Sequence, residues 1–220
     1  MSFIKNHLSF SIFYLFIILC NILFMYYLTD YRMVSKPMIM ASLLGFYIST
    51  AKPPSNVFTL ALIAALFGDI FLMFPNETFF MLGLGAFLFM QVIYSFIFLS
   101  YRQAANSLQK TGAFLVLLFS CIFLYAAWPF LAEMKLPVSL YTLCISTMVI
   151  TALLGKTDSA GYTFITLGAV LFMISDSLLA WNKFVSPLSL ADPAIMLSYM
   201  GAQFLIVSGV ILNTNTKSTA

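Results

Sequence analysis

The sequence predicts an all-α protein, a polytopic transmembrane bundle of eight helices joined by short loops. The composition is the first indication, because 62% of the residues are hydrophobic and only 8% are charged, whereas about a quarter of the residues in a soluble domain are charged. The second is the series of eight apolar runs, each near the length of about 20 residues that a spanning helix needs. The 220 residues leave no room for a separate soluble domain, so we predict a single integral membrane domain over residues 1–220.

The eight predicted helices follow one another closely along the chain. Pro37, Pro137 and Pro193 lie near predicted helix starts, where the missing N–H of proline is not needed, and Pro75 follows the end of the third helix. The first run is too long for a signal peptide and lacks a small-residue cleavage site, so we expect it to be retained. The predicted helices are residues 8–28, 37–51, 55–74, 78–100, 111–131, 137–154, 161–182 and 193–212.

Several classes of function are excluded by what the sequence contains. The net charge of +3 is spread over many loops, so no basic block indicates a nucleic-acid partner. His7 is the only histidine, which excludes a multi-histidine zinc site and argues against a Ser-His-Asp triad. The three cysteines show neither a disulfide framework nor metal spacing: Cys20, Cys121 and Cys144. We therefore expect no metal and no cofactor.

The lysines and arginines predict the orientation. Eight spans place both termini on one side of the membrane, together with six of the ten basic residues, and four lie on the other side. Basic residues favour the cytoplasmic side, so both termini are predicted to be cytoplasmic, in a bacterial inner (plasma) membrane. The two sets are Lys5, Lys52, Arg102, Lys110, Lys156 and Lys217, against Arg32, Lys36, Lys135 and Lys183.

Two carboxylates lie where hydrocarbon is expected. Asp69 and Asp176 each follow a small residue, Gly68 or Ser175, inside an apolar run, while the other five acidic residues fall in polar connections. An ionisable residue inside a membrane is costly, which makes it a functional hypothesis by default. Both aspartates lie about 8–9 Å from the outward ends of their predicted helices, so we expect them at the same depth.

Other polar residues are predicted to converge on this layer. Tyr199 and Gln203 are one turn apart on helix eight, while Gln91 and Tyr94 share a face of helix four closer to the midplane. Tyr141 lies about 6 Å inside predicted helix six, on the same side of the membrane. Lys36 opens helix two there, and could hold a lipid phosphate. The alternatives are that the tyrosines are interfacial anchors and that Lys36 and Arg32 snorkel to the interface.

The aspartates allow acid–base chemistry. No lysine or arginine is predicted deep enough to neutralise them fully, and we expect the two groups to share one proton as a coupled pair. Such a pair supplies one acid and one base, as in a carboxylate dyad that activates water. The alternative is that the aspartates only form hydrogen bonds that hold the helices together.

Several motifs resemble those of the YhhN-like membrane family, which includes the lysoplasmalogenases. The resemblance covers helices two to eight. It is carried by the following residues of this chain: Lys36-Pro37, Gly68-Asp69 with Leu72-Met73, Phe87 with Gln91 and Tyr94, Tyr141 with Met148, Gly168-Ala169 with Leu171-Phe172, Ser175-Asp176 with Leu179-Ala180, and Tyr199 with Ala202-Gln203.

The resemblance implies hydrolysis of the vinyl ether bond of lysoplasmalogen. The products would be a fatty aldehyde and glycerophosphoethanolamine or glycerophosphocholine. Asp69 and Asp176 would then be catalytic, in roles resembling the glycosidase carboxylate pair, although the sequence does not decide which is the acid. The family usually has histidine at the position of Gln91, and glutamine carries no proton at neutral pH.

Other functions remain open at this stage. Another lysolipid or ether lipid is an alternative substrate, and the oligomeric state is not predicted. Paired intramembrane carboxylates also serve proton-coupled transporters, although these usually have recognisable repeats and broken helices. A non-catalytic lipid-binding protein is the third class.

Overall fold

The computed structural model describes residues 7–28 and 32–218. Within these ranges it contains eight α-helices and no β-strand, which confirms the predicted helical bundle. Two 3₁₀ turns (Trp128–Phe130 and Ala132–Met134) follow the fifth helix, and a π-helical turn (Trp181–Val185) follows the seventh. The helices are α1 (Leu8–Tyr27), α2 (Arg32–Thr50), α3 (Asn56–Phe71), α4 (Glu77–Leu99), α5 (Ser107–Ala127), α6 (Lys135–Leu153), α7 (Tyr162–Ala180) and α8 (Ala191–Ser218).

Helix α2 begins earlier than predicted. It starts at Arg32, and Pro37 lies inside it instead of at its first position. Membrane helices tolerate such a proline because neighbouring groups satisfy the freed backbone carbonyl. Lys36 therefore lies about 6 Å inside α2, at 1.5 Å per residue, and is only 8% exposed. The burial of Lys36 was not predicted from the sequence.

The helical segment around Asp176 extends further than predicted. Helix α7 ends at Ala180, but the backbone continues as a π-helical turn to Val185. The wider i→i+5 hydrogen bonding of a π turn has no counterpart in the hydrophobic periodicity, which predicted an end at residue 182. Asp176 thus lies about 14 Å from the end of this segment instead of about 9 Å.

Three other helix boundaries differ from the predicted ones by three to six residues. Helix α5 begins at Ser107, four residues early, because Asn106 and Gln109 form a reciprocal capping box. Helix α3 ends at Phe71, three residues early, and α8 continues to Ser218, six residues beyond the predicted end. A capping box satisfies two orphan N–H groups at once, which accounts for the early start of α5.

The protein is an integral membrane protein by the length and composition of its helices. Within the described residues, six helices are long and apolar enough to cross a membrane: α1 and α4 to α8. Helix α3 is apolar but has only 16 residues, and α2 begins with Arg32 and contains Lys36. All eight predicted helices are therefore present, and six of them meet the criteria for a full span.

The chain divides into two compact units, of which the first comprises residues 1–90 and 210–220. In this unit α2 packs against α1 and α3. The contact face of α2 recurs at helical spacing, with Ile39, Leu43 and Tyr47 fully buried. Gly68 on α3 permits close approach, since a Cβ atom there would lie 2.8 Å from the ring of Phe87 on α4. Gly68 on α3 thus faces α4.

The second unit comprises residues 91–209, and in it α6 packs against α5 and α7. Polar side chains tie these helices together at two levels. The Ser120 and Ser146 hydroxyls are 2.7 Å apart between α5 and α6. At the start of α5, Gln109 Nε2 donates to the carbonyl oxygens of Leu153 and Gly155 at 2.7 and 2.9 Å. Such hydrogen bonds stabilise helix pairs in a medium without water.

Gly168 is a close contact of α7 with α8, and its substitution by alanine is expected to destabilise the protein. A Cβ atom there would lie 2.8 Å from the carbonyl oxygen of Ala202 and 2.8 Å from Ile206 Cγ1. Overpacking of this kind typically costs about 1–3 kcal/mol. Thermal unfolding in detergent should show a lower midpoint for Gly168→Ala. Gly112→Ala is the matched control, since its Cβ would meet Leu153 at an ordinary 3.5 Å. An equal midpoint for both variants would contradict this packing.

Candidate functional site

The carboxylate of Asp176 is the centre of a polar cluster in the second unit. Its Oδ2 atom accepts a hydrogen bond from the Tyr141 hydroxyl and lies 3.4 Å from the donor Gln91 Nε2. The Tyr141 hydroxyl and Gln91 Nε2 thus meet at one oxygen atom. Helices α4, α6 and α7 thus each contribute one side chain, and the convergence of Gln91, Tyr141 and Asp176 that the sequence indicated is present within this unit.

This cluster revises one detail of the predicted layer. Gln91 was expected nearer the midplane than Asp176, but the two side chains are in hydrogen-bonding contact. The deeper position of Asp176 in its extended helical segment accounts for the difference. The partially buried Asp176 therefore lies at the level of the buried polar face of α4.

The remaining predicted residues of this unit lie on α4, α7 and α8 and make other contacts. The Tyr94 hydroxyl donates to Gln203 Oε1 at 3.0 Å, and both residues are buried. Tyr199 packs edge-on against Phe172, with ring centroids 5.7 Å apart. The Ser175 hydroxyl donates to the backbone carbonyl oxygen of Ile195 at 2.9 Å, which connects α7 to α8 directly beside Asp176.

The first unit contains the second intramembrane carboxylate. Asp69 is 1% exposed and lies two residues before the end of α3. Tyr14 on α1 of the same unit is likewise buried. Asp69 and Asp176 belong to different units, and their pairing stays a prediction.

Buried polar groups on α1 and α2 were not predicted from the sequence. Asn21 is fully buried, and its Nδ2 donates to the Ser35 hydroxyl at 3.0 Å. Ser35 immediately precedes Lys36, so α2 carries an adjacent hydroxyl and ammonium on its buried face. The position of Asn21 inside an apolar run could have indicated it, because a buried amide needs a hydrogen-bond partner. An uncharged side chain is less conspicuous there than an aspartate.

Metal-ligating side chains do not cluster in the described part of the chain. No group of three or more histidine, cysteine, aspartate or glutamate residues lies close enough there to hold a metal ion. The three cysteines are free thiols. The chemistry that the described clusters offer is that of carboxylates, amides, hydroxyls and one ammonium group.

Fold and site together define an integral membrane protein whose helices carry one buried and one partly buried carboxylate. The family model that matches the sequence is that of the YhhN family, over residues 31–210. The chain belongs to the YhhN family.

Curated relatives are similar to most of this chain. A lysoplasmalogenase from Mycobacterium bovis is 32% identical over 165 residues, which cover 73% of this chain and 62% of the relative. The lysoplasmalogenase TMEM86B from Rattus norvegicus is 34% identical over 160 residues, with coverages of 72% and 63%. The human TMEM86B is 31% identical over 159 residues, with coverages of 72% and 65%. The chain thus matches less than two thirds of the length of these relatives, and no solved structure matches it.

Proposed function

We propose that this protein is an intramembrane lipid hydrolase, a lysoplasmalogenase that cleaves the vinyl ether bond of a lysoplasmalogen. The products are a fatty aldehyde and glycerophosphoethanolamine or glycerophosphocholine. The observation that carries the proposal is the Asp176 carboxylate, held by Tyr141 and Gln91 inside a membrane helix bundle. The relatives named lysoplasmalogenase support the substrate class.

The reaction needs one proton donor and one proton acceptor. The acid delivers a proton to the vinyl carbon remote from the ether oxygen, which leaves an oxocarbenium-like centre at the other carbon. Water adds to that centre while the base takes one of its protons, as in glycoside hydrolysis. The resulting hemiacetal then breaks its C–O bond to the glycerol. Its hydroxyl proton passes to the departing glycerol oxygen, and the base returns its proton to the acid, so one water is consumed.

The roles of the two aspartates follow from their surroundings within each unit. Oδ2 of Asp176 already accepts hydrogen bonds from Tyr141 and Gln91. Such donors favour the ionised form of a carboxylate, so we assign Asp176, deprotonated, as the base. Asp69, enclosed in the apolar face of α3, is assigned as the acid. In this scheme Tyr94, Ser175, Tyr199 and Gln203 shape the substrate-binding surroundings, together with Gln91 and Tyr141.

The direct test uses purified protein in detergent or vesicles. Release of aldehyde from lysoplasmenyl lipid is expected, whereas the matched lysolipid with a saturated ether chain should release none. That control has no vinyl carbon to protonate. If the protein instead moves protons across vesicles in response to a solute gradient and releases no aldehyde, a transporter replaces the hydrolase.

Lys36 is proposed to bind the substrate phosphate. Lys36 is a buried residue next to Ser35 on α2, and an ammonium group is a common ligand of phosphate in proteins. Lys36→Ala is expected to raise KM about tenfold and to change kcat less, which is the pattern for lost uniform binding. The kinetics are measured with lysoplasmenyl lipid. An unchanged KM with a lowered unfolding midpoint would assign Lys36 to the structure, as a counter-charge for a buried acid such as Asp69.

Both termini are proposed to be cytoplasmic in a bacterial inner membrane. Eight crossings give this parity. The six-to-four distribution of basic residues sets the direction. Reporter fusions after Lys52 and after Ala220 should both report the cytoplasm. Fusions that report opposite sides would show that one helix has been miscounted.

A further inference from the structure

One oxygen atom beside Asp176 is buried without a hydrogen-bond partner. Gln91 is fully buried, and its Nε2 faces Asp176 Oδ2 at 3.4 Å. Its Oε1 makes no hydrogen bond to any residue in the part of the chain that the structure describes. The buried Gln203 differs, because its Oε1 accepts from the Tyr94 hydroxyl at 3.0 Å. Buried acceptors are normally satisfied, so an exception calls for an explanation.

The contact with Asp176 fixes which end of the Gln91 amide lacks a partner. An ionised carboxylate oxygen only accepts hydrogen bonds, so the NH₂ end of the amide must face it. Tyr141 is on the same side, since its hydroxyl donates to the same carboxylate oxygen that Gln91 Nε2 faces. The carbonyl end is therefore held as an acceptor beside the carboxylate, with no donor among the residues that the structure describes.

We propose that Gln91 Oε1 accepts a hydrogen bond from the free sn-2 hydroxyl of the lysolipid and so selects lysolipids over lipids with two chains. This inference rests on the proposed function. The phosphate and the ether oxygen are acceptors, and a trimethylammonium headgroup has no N–H donor. The ammonium donor of an ethanolamine headgroup lies beyond the phosphate, far from the vinyl ether. The sn-2 hydroxyl is the substrate donor nearest the scissile bond, because it lies on the carbon next to the one that bears the vinyl ether oxygen. In a two-chain lipid an acyl group replaces this proton, which leaves Oε1 unpaired.

The test compares two saturated ether lysophosphocholines that are not cleaved, one with the sn-2 hydroxyl and one with hydrogen in its place. The wild-type protein is expected to bind the hydroxyl ligand at least about tenfold more tightly, as a hydrogen bond to a buried acceptor supports. Gln91→Met should bind both ligands with nearly equal affinity. Gln91→Leu is the second variant if the methionine variant does not fold.

Ser120→Ala is the matched control. It removes a buried hydrogen bond between α5 and α6 and is expected to keep the wild-type preference for the hydroxyl ligand. Equal affinities in the wild type would overturn the inference, and so would a preference that persists in Gln91→Met, which would assign Oε1 to a bound water. If the wild type also releases no aldehyde from lysoplasmenyl lipid, the proposed function itself fails. Aldehyde release with equal affinities refutes only the role of Gln91.

Discussion

Replacing Asp176 by asparagine is expected to lower aldehyde release per folded molecule by about a thousandfold, the scale of a lost general acid or base. Asparagine keeps the size of the side chain and can still accept from the Tyr141 hydroxyl, so the helices should still assemble. It cannot take the proton that the attacking water loses. The measurement is initial rate per folded protein, beside the unfolding midpoint in detergent.

The control for this variant is a carboxylate of the same unit outside the candidate site. Asp158 lies in an exposed turn and forms a surface ion pair with Lys156 at 3.6 Å. Asp158→Asn should retain nearly full activity. A well-folded Asp176→Asn protein with substantial turnover would exclude Asp176 as the base. Activity that falls only in proportion to the folded fraction would favour the purely structural interpretation of this aspartate.

Asp69→Asn is expected to be about as severe, since the reaction cannot begin without proton delivery to carbon. The double variant Asp69→Asn with Asp176→Asn should then be little worse than either single variant, because members of one catalytic unit are strongly non-additive. The rates of the wild type, the two single variants and the double variant together form a double-mutant cycle. Losses that multiply would indicate that the aspartates act independently, and the two-carboxylate mechanism would be wrong.

Helical periodicity and depth predicted much of the cluster in the second unit. Tyr141 and Asp176 were both predicted to point into one layer, and their side chains are in hydrogen-bonding contact. This contact was predictable because polar side chains inside an apolar bilayer face the interior of the bundle, so each one indicates an inward-facing position. The link between Tyr94 and Gln203 agrees with their predicted place in the same polar layer.

Features that depend on backbone geometry could not be predicted in the same way. The start of α2 was misplaced because proline was taken as a helix opener, although a membrane helix can contain it. The π turn after α7 changed the depth of Asp176, and such turns have no reliable sequence pattern. Asn21 was not predicted because it is uncharged and so does not appear in the pattern of ionisable residues, although a buried amide also needs partners.

The central claim, protonation of a vinyl carbon followed by addition of water, is tested most directly by the reaction in D₂O. The purified protein is incubated with lysoplasmenyl lipid, the aldehyde is trapped as it forms, and its mass is measured by mass spectrometry. The account predicts an aldehyde that carries one deuterium on the carbon next to the carbonyl, at a rate that Asp176→Asn abolishes. An aldehyde without that deuterium, or equal release by the variant, would contradict the mechanism.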